Sequence, residues 1–330
     1  MKLSTSSDSA KYDWDAIRDP QHAEDVWAVV SRNFDRYFSS WPLLTQDDQM
    51  ASQLAAKFRR TTASSTNAQR VNSDEIAAWI ATYDKSAAKY RDCFDSEAMV
   101  DYEDDPSAFK GVLSKRCEII QRILNSKNTD LKEWIIRFKM ATSQDLLDVF
   151  RSLLSAREEY EETFGDDAST YADCDSAEAL VLEAFGEDES VKMPGVIGMG
   201  IRSIVLHFLN ARLFAQQNRA ALYALYFLSE RATFGLPSRT SPFLMIDDVN
   251  QRHGDDRNFK MEYNYWYPYP IGTLFAIRVY REIEARCREL GEELDPTYRY
   301  LYVARFYDHV CAQHREEMKV MRGGDDLSWG

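Results

Sequence analysis

Apolar residues recur three and four apart between residues 14 and 58, with Trp27, Val30, Phe34 and Phe38 on one stripe, and that spacing predicts a helix. Polar residues 60–73 (RTTASSTNAQRVNS) read as a loop. Ser73 stands where it caps the next helix, IAAWIATY, although Ile76 rather than Glu or Gln lies three residues on. A second loop is expected around DYEDDPSAF. Residues 107–125 and 129–163 then give two amphipathic stretches; in the second, Leu131, Trp134, Ile135, Phe138, Met140, Leu146, Leu147, Phe150, Leu153 and Leu154 supply one helical stripe. Residues 158–190 are acidic, carry Gly165 and Gly186, and mark a boundary between halves. SAEALVLEAF inside that run predicts a short helix.

Beyond the boundary, Gly195, Gly198 and Gly200 lead into the apolar run IRSIVLHFLNARLF. ALYALYFLSERATFG predicts a buried helix closed by Gly235 as its left-handed C′ residue. Residues 236–256 read as a loop with a short strand at PFLMI, and a short β-hairpin or strand is expected within 242–268. The segment MEYNYWYPYP precedes a long helix over 272–290, ended by Gly291. A last helix starts at Pro296, capped by Asp295, and stops at Gly323 and Gly324. The expected fold is therefore all-α. A flexible arm covers 1–12, an acidic N-terminal helical lobe 13–190, and an Arg- and aromatic-rich C-terminal helical lobe 191–330. Only 13 Gly and 9 Pro in 330 residues support this, because a many-stranded sheet would need more turn residues.

Charge changes the picture, because it is unevenly spread. Residues 1–199 carry 23 Lys+Arg against 37 Asp+Glu, whereas 200–330 carry 17 against 17. The second part also uses 15 Arg but only 2 Lys. Arginine forks onto phosphate and stacks on aromatics and bases. The five cysteines are scattered and form no CxxC, so neither a disulfide framework nor a zinc knuckle is expected, and a reducing, cytosolic-type compartment fits. No apolar run reaches about 18 residues, and MKLSTSSDSAKYDWD has no apolar signal core, so neither a membrane span nor a signal peptide is expected.

Three constellations could carry chemistry. Asp247 and Asp248, with Asp255 and Asp256 beyond, could hold Mg²⁺ against a diphosphate. They partly resemble the second aspartate-rich motif of all-trans prenyl synthases, but Asn250 and Gln251 stand where a third acid is expected. The bland alternative is a solvated turn. His309 and His314 are five apart and do not share a helical face, while His207 on an apolar helix reads as a core histidine. No residue is assigned to catalysis, to a metal or to a cofactor. The third constellation is the Arg and aromatic content after residue 200. Arg278, Arg281, Arg286 and Arg288 lie on the long helix, and Arg305, Arg315, Lys319 and Arg322 on the last. Tyr265, Trp266 and Tyr267 precede them as base-stacking candidates. Cations neutralise phosphates and π-faces accept any base, the mixture that non-specific binding of a single strand requires. A Tyr-rich core with ion-paired surface arginines gives the same composition.

The order of segments over residues 220–330 resembles the core of coat proteins of flexuous filamentous plant viruses, the potyvirus and potexvirus type. ALYALYFLSERATFG, then Thr240, Ser241 and Pro242, then FLMIDD match that family's helix, loop and short acidic strand. WYPYPIGTLFAIRVYREIEAR and VARFYDHV match its Tyr-Pro segment, its long helix with an early Arg, and its Ala-Arg-aromatic helix with an Asp. The resemblance implies that Ser241, Arg278 and Asp308 frame a pocket for RNA phosphate, with the Asp orienting the Arg. It also implies a homo-polymer on single-stranded RNA, located in the virion and host cytoplasm. The first 195 residues depart from the family in length and acidity, and its long C-terminal arm is missing. A helical nucleoprotein of a negative-strand RNA virus would show a similar acidic front and Arg-rich back. A Mg²⁺-dependent prenyl-diphosphate enzyme and a helical protein–protein interaction module are the other readings.

Overall fold

The computed structural model describes residues 9–46, 69–128, 131–165, 173–237, 239–246, 261–263 and 267–321. Helix starts earlier than the polar N-terminus predicts: α1 (Ser9–Ile17) takes in the end of the expected arm. It also breaks sooner. Asp19 accepts a hydrogen bond from the Gln21 N–H at 2.9 Å, and Pro20, which has no N–H to lose, opens α2 (Pro20–Phe38). Over residues 14–46 the single helix expected across 14–58 is thus corrected to two helices, and residues 47–58 lie outside the described residues. They are followed by a turn at Trp41 and strand β1 (Leu44–Gln46), which pairs antiparallel with β2 (Gln69–Val71). Asn72, not Ser73, caps α3 (Ser73–Cys93), its side chain accepting from the Glu75 N–H at 3.2 Å.

The loop expected around DYEDDPSAF shrinks to Asp105. This residue closes α4 (Ser96–Asp104) and caps α5 (Pro106–Arg116) by accepting from the Ala108 N–H. Each predicted amphipathic stretch is divided in two. Cys117 separates α5 from α6 (Glu118–Leu124). Thr142, accepting from the Asp145 N–H at 3.0 Å, starts α8 (Ser143–Phe164) after α7 (Lys132–Met140) has ended.

The acidic run is fastened down by arginines. Cys174, Leu180, Leu182, Phe185 and Val191 are buried around a 3-10 turn, Glu178–Leu180, and the short helix α9 (Glu183–Glu187). Arg202 donates to the Phe185 carbonyl at 2.8 Å, and Arg278 donates to that of Asp175 at 2.9 Å. Residue 190 is a boundary in composition, but one apolar core crosses it, from Ile17 to Met318.

The C-terminal part begins with α10 (Met199–Leu209) and α11 (Arg219–Leu228). Every residue of α11 from Ala220 to Leu228 is buried, making it the central helix, packed on α2 and on α13 (Arg299–Gln313). It ends seven residues before the glycine expected to close it. Glu230, at φ +54°, takes the left-handed position, and the Arg231 N–H donates to the Tyr226 carbonyl at 2.8 Å. Gly235 is left-handed too, at φ +70°, but belongs to the following turn. Strands β3 (Leu244–Ile246) and β4 (Met261–Tyr263) form the short hairpin, with Leu244 opposite Tyr263. The long helix α12 (Tyr269–Glu289) ends as predicted at Gly291, φ +83°. The last predicted helix is divided into a 3-10 turn, α13 and α14 (Arg315–Met321). Phe306 on α13 packs against Phe34 at 5.0 Å and against Trp41, which stacks on Trp79, so α2, α3 and α13 share one aromatic core. Among the described residues the fold is all-α with two short antiparallel strand pairs, and no helix is long and apolar enough to cross a membrane.

Candidate nucleic-acid interface

Ser241 sits at the turn into β3. It is buried; its hydroxyl oxygen faces the Phe243 N–H at 3.5 Å and its carbonyl accepts from the Leu244 N–H at 3.1 Å. Arg278 lies near the middle of α12 with only 10 % of its side chain exposed. Its Nη2 donates to Glu24 of α2 at 2.6 Å and to the Asp175 carbonyl, and its guanidinium lies 5.8 Å from the Trp27 ring. Its Nη1 is buried with no hydrogen-bond partner. Asp308 is elsewhere. It lines a crevice with Ala276, whereas Arg278, two residues further along α12, projects about 200° around the helix. The three residues do not share one set of contacts.

The remaining arginines of α12 are paired with acids. Arg281 meets Asp175 at 3.1 Å and donates to the Cys174 carbonyl at 2.8 Å. Arg286 forks onto both oxygens of Asp35, each at 3.0 Å, and these bonds raise its pKa. Arg288 meets Glu284 at 3.1 Å. Glu24 and Asp35 both stand on α2, so the charge difference between the two parts of the chain is partly an internal match.

The last two helices are less fully paired. Arg305 reaches Asp308 only at 3.9 Å, with its own Nε buried and without a partner. Packing around Asp308 pushes its carboxyl pKa up to about 6, although 56 % of the side chain meets solvent. Arg315 is exposed, and Lys319 pairs with Glu316 at 2.8 Å. Tyr267, expected to stack on bases, is a core residue instead: 2 % exposed, 5.0 Å from the Phe243 ring, its phenol pKa raised by burial. Its ring completes the floor under the hairpin, so it has no free face. Arg322, Tyr265, Trp266, Asp247, Asp248, Asp255 and Asp256 lie outside the described residues.

The crevice beside Asp308 is lined by Gln216, Asn218, Tyr300 and Tyr307. It has room at its base for about one water molecule, too little for a base or a sugar. The Tyr307 hydroxyl is buried there without a hydrogen-bond partner; in a neighbouring crevice Gln217 Oε1 is likewise unpartnered, while Gln217 Nε2 donates to the Tyr267 carbonyl at 2.6 Å. His207 is fully enclosed, its Nδ1 3.1 Å from the Phe214 carbonyl, and burial lowers its pKa to about 4. His314 stacks on Phe227 at 3.8 Å and contacts the Tyr37 hydroxyl at 2.9 Å. Among the described residues no three His, Cys, Asp or Glu side chains gather as a metal site, and the five cysteines are buried and free.

Dividing the chain at residue 200 hides a local feature. Residues 110–139 carry eight Lys and Arg against three Asp and Glu, within a half that is otherwise strongly acidic. A sliding charge window would have found it. No protein-family model, no curated protein and no solved structure matches the chain.

Proposed function

We propose that this chain is a coat or nucleocapsid protein that polymerises into a helical filament and encapsidates single-stranded RNA through sequence-independent phosphate contacts. One observation carries the reading: the order of elements in the last third. A buried helix, a turn at Ser241, a short hairpin, a long helix bearing Arg278 and an Ala-Arg-aromatic helix bearing Asp308 follow one another. That is the order the resemblance to flexuous-virus coat proteins implies. In this role Arg305 and Arg315 present charge toward solvent. Segments near the N-terminus tether neighbouring subunits, and the assembled protein resides in the virion and the host cytoplasm.

A second reading has its own observation. Arg278, Arg281, Arg286 and Arg288 all contact acids of the same chain, which suits a helical interaction module with no nucleic acid. Titration of purified protein with labelled poly-U separates the two. Encapsidation predicts binding that weakens steeply between 50 and 200 mM salt, by about 300-fold for six phosphate contacts on a single strand. Protein that carries no nucleic acid by absorbance ratio and shows no salt-sensitive binding overturns the proposal and leaves the interaction module.

A further inference from the structure

We propose that the phosphate backbone of the RNA lies along the basic face built by α5, α6 and α7, rather than along the arginines of α12. This rests on the RNA-coating reading and names the surface that performs it. Over 110–139 the surplus is five positive charges, in a chain whose total is −14. Lys115, Arg116, Arg122, Lys127, Lys132 and Lys139 are all exposed. None of the six forms an ion pair with a described residue, in contrast to the arginines of α12. The one described carboxylate set among α5 and α6, Glu118, is already held by Lys89 of α3.

The cations are grouped by the fold. Arg116 is close enough to Cys93, and Arg122 to Tyr90, to act on them electrostatically, so both flank the C-terminal end of α3. The Tyr90 hydroxyl accepts from the Ile119 N–H at 3.1 Å and fixes α6 there. At the other end of α5, Lys110 donates to the Lys139 carbonyl at 2.9 Å and joins α7 to the group. Helix α7 holds the body through Trp134, whose indole donates to the Val196 carbonyl at 2.7 Å, and through buried Phe138. Its opposite face carries Lys132, Ile136, Lys139 and Met140 at helical spacing. Ile136 is 57 % and Met140 78 % exposed, which sets apolar surface for bases beside cations for phosphates.

Cations in the last turn of a helix also offset its dipole, and Lys115, Arg116, Arg122 and Lys139 occupy such turns. Each helix end supplies only about half a charge, so three ends leave most of the surplus uncompensated. Charge complementarity therefore selects a polyanion over the acidic surface of a second copy, which also carries cations that would repel.

The test is binding of the full chain to fluorescent poly-U across a salt series, with the variant K115A/R116A/R122A/K127A. These side chains are exposed, so the fold is retained, which circular dichroism checks. The slope of log affinity against log salt is expected to fall by about 3, at about 0.7 per phosphate contact on a single strand. Removing paired cations elsewhere (R32A/R151A/K192A) leaves the slope at its wild-type value. Wild-type binding with an unchanged slope in the quadruple variant overturns the location while sparing the RNA reading. Loss of self-association with RNA binding intact also overturns it and assigns the face to contacts between copies. No binding by the wild-type chain at any salt removes both proposals together.

Discussion

The ion pairs between α12 and α2 make a quantitative claim about how the two parts of the chain are joined. Arg286 and Asp35 meet bidentately at 3.0 Å, with 35 % and 67 % of their side chains exposed. Coulomb attraction at that distance in water is about 1.4 kcal/mol. Ordering two side chains offsets part of it, so the net coupling is about 0.5–1 kcal/mol. Arg278 and Glu24 meet at 2.6 Å, but only 10 % of the arginine side chain is exposed. Charge-assisted hydrogen bonds in such settings contribute about 1.5–3 kcal/mol, less whatever desolvation the arginine retains. Two double-mutant cycles, D35N/R286M and E24Q/R278M, measured by urea unfolding, read these couplings separately. At 10 mM salt the Debye length is about 30 Å, and at 1 M about 3 Å. The Arg286 coupling should therefore largely vanish at 1 M, while the Arg278 coupling keeps more than half its value. Equal couplings, or a surface pair unaffected by salt, would refute the assignment of these arginines to internal pairing at different depths.

Three further outcomes follow from local geometry. Phe306→Ala should lose about 3–5 kcal/mol of unfolding free energy, because its ring fills the space between Phe34 and Trp41; a loss under about 1 kcal/mol contradicts that packing. Gly291→Ala should cost about 1–2 kcal/mol through φ +83° alone, since a Cβ there meets nothing within 4 Å, and a neutral substitution would show the helix ending some other way. Asp308 holds its proton more tightly in the fold than in the unfolded chain. Its contribution is thus complete below about pH 4 and is lost as pH rises through about 6. Asp308→Asn should stabilise the protein at pH 8 by about 1 kcal/mol at most, given screening of its half-exposed side chain, with no gain at pH 4; a gain that grows toward acid pH contradicts the sign.

Periodic apolar spacing made the helical class and the long helix α12 legible, and Gly291 marked its end. The breaks at Pro20, Cys117 and Thr142 were harder to read than the loop at Asp105, because the apolar pattern resumes soon on each far side. Caps mark the breaks at Pro20 and Thr142 but not at Cys117, which makes no side-chain cap bond, and Pro20 after Asp19 is a start signal that a long stripe easily masks. Glu230 in a left-handed C′ position could not be foreseen, since nothing in its chemistry distinguishes it from an ordinary helical glutamate. At the candidate site, the excess of arginine was visible but its partners were not. Glu24 and Asp35 lie about 250 residues away from Arg278 and Arg286, a separation that local pattern does not encode. Tyr267 stood in a run of tyrosines that looked like a stacking platform, and only the fold shows its ring turned into the core. The basic face of α5–α7 was present in the sequence throughout, but it averaged away inside an acidic half.

Electron microscopy in negative stain, on the full chain mixed with poly-U at low salt, tests the central claim most directly. Helical filaments or rings are expected to form with the RNA and to come apart at high salt, where phosphate contacts are lost. A monodisperse protein that stays the same with and without RNA would contradict it.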